Sequence, residues 1–154
     1  MANQTISYVN ADKFGRAAFE QMDTYLSSVL LAGPEPEFEP NTTYPVLLAD
    51  SQTLAQFTVV GTNAAGKLVP LTYAGLTASD STKILPLGIL AHAATSSTSN
   101  TTVRGEVIYS GCFAIEGPLI WASDFDTDDK KKIAFRGAPT PTTIIVRNRF
   151  TPAS

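Results

Sequence analysis

The stretch Ile120–Gly137, "IWASDFDTDDKKKIAFRG", concentrates the residues best equipped for chemistry. Asp124, Asp126, Asp128 and Asp129 lie within six positions, and Lys130, Lys131 and Lys132 follow them. Alternating acids suggest calcium first. A calcium loop of the helix–loop–helix kind needs a glycine at its sixth position and a bidentate glutamate at its twelfth. Counted from Asp124, those positions hold Asp129 and Phe135. The run "DFDTD" also mimics the Asp-x-Asp-x-Thr loop of phosphotransferases with an aspartyl nucleophile. That chemistry requires a buried parallel strand before the loop, and no alternation of strand and helix surrounds this one. A structural reading uses every residue: Asp126 or Thr127 caps a short helix, and Asp128 and Asp129 sit in its first turn, where free amides favour negative charge. The lysines then occupy the solvated side, Ile133, Ala134 and Phe135 supply apolar contact, and Gly137 and Pro139 end the helix.

Other reactive residues are isolated. His92 is the single histidine and Cys112 the single cysteine, so neither a four-ligand zinc site nor an internal disulfide is available from them. Ser110 in "YSGCF" lacks the Gly-x-Ser-x-Gly elbow of a serine nucleophile. Cys112 reads as a small core residue and His92 as a packed or rim residue. No glycine-rich phosphate loop is present. The expectation is of no catalytic residues, no metal and no cofactor. An enzyme, were there one, would have to build on Asp124, Asp126, Asp128 and His92.

The elements that must position these residues divide the chain of 154 residues in two. Residues 1–40 read as an arm. A helix is expected over about 11–32, with Asn10 as N-cap and Gly33–Pro34 as its stop. Phe14, Ala18, Met22, Tyr25 and Val29 recur every three or four positions and form one apolar stripe, which must pack on its own domain or on a partner. Residues 33–40, "GPEPEFEP", alternate proline with glutamate and read as an extended linker. Residues 41–154 read as a β-rich domain of short Val-, Ile-, Leu- and Thr-rich runs punctuated by Gly, Pro, Asn and Asp. "TNAAGK" reads as a turn, Pro70 and Pro86 as marks of edges or bends, and Thr95–Thr102 as an exposed loop. The fold class expected is mainly β, a compact barrel- or sandwich-like body with one short helix, plus the helical arm.

Composition narrows the partners. Only 16% of residues are charged and the net charge is −3, which gives no electrostatic case for nucleic acid. The longest apolar runs, such as Val29–Ala32, are far too short to span a bilayer. "MANQTISYVN" lacks the basic start and apolar centre of a signal peptide, so folding in a cytoplasm is expected, with the sequons at Asn3, Asn41 and Asn100 unmodified.

Several segments, in order, resemble the lambda-type phage head decoration proteins: "YPVLLAD" (Tyr44–Asp50), "KLVPLTYAG" (Lys67–Gly75), "PLGILAHAA" (Pro86–Ala94), "VIYSGCF" (Val107–Phe113), "LIWASDFDTDDKKKIAFRG" (Leu119–Gly137) and "TIIV" (Thr143–Val146). The resemblance implies a mostly β fold of the β-tulip kind. It implies a homotrimer on the outside of the expanded phage head, at local three-fold positions, cementing the major capsid protein shell. It also implies an arm that lends a strand to the major capsid protein. On that basis Phe38, Glu39, Pro40, Asn41, Thr42, Thr43 and Tyr44 are expected along the capsid, and the arm helix on a neighbouring subunit. Pro118, Leu119 and Trp121 are expected near a trimer or capsid contact. The competing class is a phage fibre or adhesin module holding carbohydrate through loops such as Thr95–Thr102.

Overall fold

The computed structural model describes residues 41–42 and 45–148. Among the described residues there are ten strands, with two short helices, one between the fifth and sixth strands and one between the ninth and tenth. The strands are β1 (Asn41–Thr42), β2 (Val46–Leu47), β3 (Thr53–Leu54), β4 (Val59–Thr62), β5 (Leu68–Pro70), β6 (Leu85–Leu90), β7 (Ala94–Thr95), β8 (Arg104–Gly105), β9 (Val107–Ala114) and β10 (Thr143–Arg147). The helices are α1 (Tyr73–Thr77) and α2 (Asp128–Ile133). A six-stranded sheet runs β1-β9-β6-β4-β5, with β10 parallel to β9, and β2–β8 and β3–β7 form two separate ribbons. The mainly β body expected from sequence is therefore present, as an open sheet flanked by ribbons.

The central strands β4, β6 and β9 are buried on both faces, while β10 buries Ile144 and Val146 and leaves Thr143, Ile145 and Arg147 exposed. Consecutive residues of a strand point to opposite sides, and here both sides meet apolar cover. Val59, Ile89, Ile108, Phe113, Ile144 and Val146 join a first core with Leu119, Phe125, Ala134 and Phe135. Val60, Leu90 and Val107 join a second core with Leu48, Leu54, Leu68 and Leu87, beneath the ribbons. Two-sided burial explains why β6 reads "LPLGIL" rather than as an apolar–polar alternation.

Turn and breaker residues fall where their chemistry requires. Asn63 accepts from the N–H groups of Ala65 and Lys67 through its side-chain oxygen, both at 3.0 Å, and Gly66 takes φ +70° to close the β4–β5 hairpin. Pro70 lies in β5, at the end of the sheet, where a missing donor costs no ladder bond. Pro86 sits where the β4–β6 register shifts, and its carbonyl accepts from the Thr140 hydroxyl. At Gly88 an added Cβ would run into the Ile108 carbonyl oxygen of β9, so β6 and β9 approach this closely only without a side chain there.

Helix α1 departs from the sequence reading, which treats "LTYAG" as strand and expects a single short helix in the body. Thr72 caps it, accepting from Gly75 N–H at 3.0 Å, and a second anchor reaches it from fifty residues away, described below.

Candidate functional site

The acidic run proves to be a clasp. Phe125 is buried in the first core, with its ring 5.7 Å from that of Tyr73 at 81° and 5.0 Å from that of Trp121. This plug turns Asp124 towards the start of α1, where its Oδ2 accepts from Ala74 N–H at 3.0 Å. Thr127 is the N-cap of α2, with Asp128 and Asp129 in the first turn. Asp128 and Asp129 pair with Lys131 and Lys132 at 3.7 and 4.0 Å, exposed contacts of little energetic weight. Asn148 donates to Asp128 Oδ2 and Glu116 Oε1, tying the end of β10 to α2.

Lys130 is not on the solvated side that the sequence suggested. Its Nζ lies 2.8 Å from Asp126 Oδ1, donates to the Asp124 carbonyl at 3.2 Å and stands 4.6 Å from the Tyr73 ring centroid. The hydrogen bond to Asp126 raises the Lys130 pKa, and the same bond lowers that of Asp126. For Asp124, burial alone would raise the carboxyl pKa. The N–H groups of Ala74 and Tyr73, helped by Lys130, outweigh it and hold the group below the usual carboxylate range. Ile133, expected to pack inward, is exposed, leaving Ala134 and Phe135 as the apolar contact. Three carboxylates are thus engaged with a helix end, a lysine and an asparagine. Among the described residues no group of three His, Cys, Asp or Glu side chains could hold a metal ion, and no helix is long and apolar enough to cross a membrane.

Beside the clasp, residues 118–121 attach to the start of β4. Ile120 N–H donates to the Phe57 carbonyl at 3.0 Å, and Val59 N–H donates to the Ile120 carbonyl at 2.9 Å. That pairing decides which side chains face out. Leu119 enters the body's own core at 8% exposure, while Ile120 stands 45% exposed and Pro118 is exposed. Trp121 is half-buried against the first core. Of the three residues singled out from sequence, Leu119 is therefore core and Pro118 and Trp121 remain at the surface. Ile120, expected from sequence with its "GPLI" neighbours near such a contact, is the exposed apolar residue between them. Phe57 adopts φ +65°, a left-handed conformation that costs a bulky residue about 1–3 kcal/mol. Its backbone is held there from both sides, its N–H by the Leu90 carbonyl at 2.8 Å and its carbonyl by Ile120.

The loop after β7 is also more than an exposed connection. Ser96 and Asn100 are buried, at 7% and 3% exposure. Ser96 Oγ donates to the Ala49 carbonyl at 2.6 Å and accepts from Gln52 N–H at 2.9 Å. Asn100 Nδ2 donates to the carbonyls of Leu48 and Val103, and its Oδ1 accepts from Thr102 and Val103 N–H. Asp50 accepts from Lys67 Nζ and Asn100 N–H, each at 3.0 Å, which holds its pKa low. Two polar residues that a sugar would use are thus turned inward. His92 stands exposed at the rim, 3.8 Å from Glu106, and Cys112 is buried.

The arm stripe Phe14, Ala18, Met22, Tyr25 and Val29 lies outside the described residues, as do Phe38, Glu39, Pro40, Thr43 and Tyr44. Asn41 and Thr42 form β1, against β9. Set beside known families, residues 21–139 match the model for the bacteriophage lambda head decoration protein D. The match begins before β1 and ends before β10. No curated protein matches the chain.

Proposed function

The chain belongs to the bacteriophage lambda head decoration protein D family, and from that premise we propose that it binds the outer surface of the expanded phage head as a homotrimer at local three-fold positions and cements the major capsid protein shell. The family is one of structural head proteins, which gives the chain a capsid decoration role in the virion. The observation that carries the fuller reading is the family match across residues 21–139. The trimer and the cementing step add a mechanism. A trimer touching several capsid subunits makes each contact after the first effectively intramolecular, so weak contacts sum to high avidity. Binding the expanded shell and not its precursor then stabilises the expanded state by mass action.

The residues offered for these contacts are of two kinds. The arm segment Phe38–Tyr44 is proposed to meet the major capsid protein, and the stripe Phe14, Ala18, Met22, Tyr25 and Val29 a neighbouring subunit. On the body, the exposed surface of Pro118, Ile120 and Trp121 is proposed for the trimer or the shell. Its support is physical. Apolar side chains are presented on a segment fixed by backbone hydrogen bonds and a strained residue, so little ordering entropy remains to oppose a contact. Synthesis in the host cytoplasm and residence on the outer face of the head complete the reading.

Heat resistance of expanded heads tests cementing. Heads lacking the protein are heated, or treated with chelator, with and without added protein. Greater survival with the protein is expected, and Ile120→Asp should lose that gain. Bound protein that leaves survival unchanged would remove the cementing step.

A further inference from the structure

Among the described residues three large apolar side chains stand exposed, Ile120, Ile133 and Ile145, each a little over two-fifths. A single exposed isoleucine is unremarkable in a folded protein. What separates these three is the charge around them.

Ile133 ends α2. Asp129 and Lys130, one turn back, share its side of the helix, Lys132 precedes it, and Arg136 N–H donates to its carbonyl at 3.0 Å. Ile145 lies in β10 between Thr143 and Arg147, which project from the same face of the strand and are also exposed. Ile120 differs. Its own segment, Gly117–Ser123, reads "GPLIWAS", and the segment it bonds to, Thr53–Thr62, reads "TLAQFTVVGT". Neither holds an acidic or basic residue. Along them Ala55, Gln56 and Pro118 are exposed, and Phe57 and Trp121 are half-buried.

Symmetry turns this difference into a choice of partner. A residue at a three-fold axis meets two copies of itself. A charge there is set against its own like, with no opposite charge to relieve it. Brought to an axis, Ile133 would carry three copies of Lys132 and Arg136 with it, and Ile145 three copies of Arg147. Ile120 carries none. A contact with a different protein is under no such restriction, because charges on one side can be matched by opposite charges on the other. A charge-free surround is what self-association at an axis requires. The backbone meets the second requirement, a fixed direction. Both polar groups of Ile120 are taken by Phe57 and Val59, and Leu119 beside it is turned into the core. The Ile120 side chain is left to project from one defined place.

We propose that Ile120 lies at the three-fold axis of the homotrimer, with Pro118 and Trp121 in the subunit contacts around it. This surface then joins copies of the chain to one another and does not face the shell. The proposal rests on the homotrimer reading above and assigns it a place on the body.

Cysteine cross-linking tests it, on the full-length protein in solution and on expanded heads. Cys112 is buried, so Ile120→Cys supplies one exposed thiol per chain. With oxidised glutathione, two of three thiols converging on an axis join and the third is left over. A disulfide-linked dimer is expected from Ile120→Cys, with about tenfold less or none from Ile133→Cys and Ile145→Cys, whose thiols gain no effective concentration from the assembly. Sedimentation equilibrium gives an arm that needs no disulfide. Ile120→Asp should raise the concentration at which trimers form by about tenfold or more, and Ile133→Asp and Ile145→Asp should leave it in place. A wild-type trimer matched by an equally stable Ile120→Asp trimer, with no Ile120→Cys cross-link, would overturn the proposal and leave the homotrimer standing. Preferential cross-linking through Ile133→Cys or Ile145→Cys would overturn it by moving the axis to that face. Wild-type protein that is monomeric in solution, with no cross-link at any of the three positions on heads, would overturn the homotrimer itself.

Discussion

Two polar stretches of this chain, Ser96–Val103 and Asp124–Lys132, invite opposite readings from their composition and receive the reverse in the fold. The first holds only small uncharged polar residues before Val103 and looks like solvent-exposed filler. It contains two of the most deeply buried polar side chains described, Asn100 and Ser96. The second carries four acids and three lysines and looks like chemistry, yet Asp126, Asp128 and Asp129 are exposed and, Asn148 on Asp128 apart, their partners are local. The difference lies in what the surrounding backbone leaves unsatisfied. Leu48 and Ala49 are buried, and Asn100 and Ser96 meet their carbonyls, Ser96 also taking the Gln52 amide. Around Asp124 the open end of α1 needs a partner, and one carboxylate oxygen supplies it.

That contrast can be broken by measurement. The largest effect is expected at Asn100→Ala, which strands the Leu48 carbonyl and the Thr102 and Val103 amides. A loss of about 2–3 kcal/mol in urea unfolding follows from the cost of buried unpaired groups. Exposed Ser99→Ala should change almost nothing. Equal effects of the two would show that the loop is not clamped.

Asp124→Ala comes next, at about 1 kcal/mol, the usual cost of losing a helix cap. Asp129→Ala, at the exposed end of the same run, should leave the denaturation midpoint in place. The acidic cluster would have to be redefined if Asp129→Ala proved the more damaging.

The smallest effect sharpens the comparison through pH. Asp50 is held low first by Lys67 and then by Asn100 N–H, and Asp124 by the α1 amides and Lys130 against the opposing effect of burial. A carboxyl whose folded pKa lies below its unfolded value stabilises the fold fully above the unfolded value, about 3.9. The contribution fades as pH falls through the folded value. Unfolding midpoints should therefore be flat from neutral pH to about 5 and decline below about 4. In Asp50→Asn and Asp124→Asn that decline should be shallower.

How much of this was legible follows the same line. Local chemistry was: the Asn63–Gly66 turn, the proline at an edge and the proline at a register shift, and the Thr127 cap with its acidic first turn all depend on neighbours in sequence. The features that depended on distant backbone were not. In "LTYAGL" only the Thr72 cap of α1 is local, and its second anchor, Asp124, lies fifty residues on. The inversion at Leu119 and Ile120 depends on pairing with Phe57–Val59, and no periodicity in "GPLIWA" records that partner. Asn100 reads as a loop asparagine until Leu48 is placed above it. The family resemblance was carried by residues such as Gly88 and the Trp121–Gly137 run. These are positions where strand approach and the clasp leave little freedom.

Co-sedimentation with expanded phage heads lacking the protein tests the central claim most directly, read as copies bound per head. Saturable binding at one trimer per local three-fold position, with no binding to unexpanded heads, is the expected result. Folded protein that fails to sediment with expanded heads at any concentration would contradict the account.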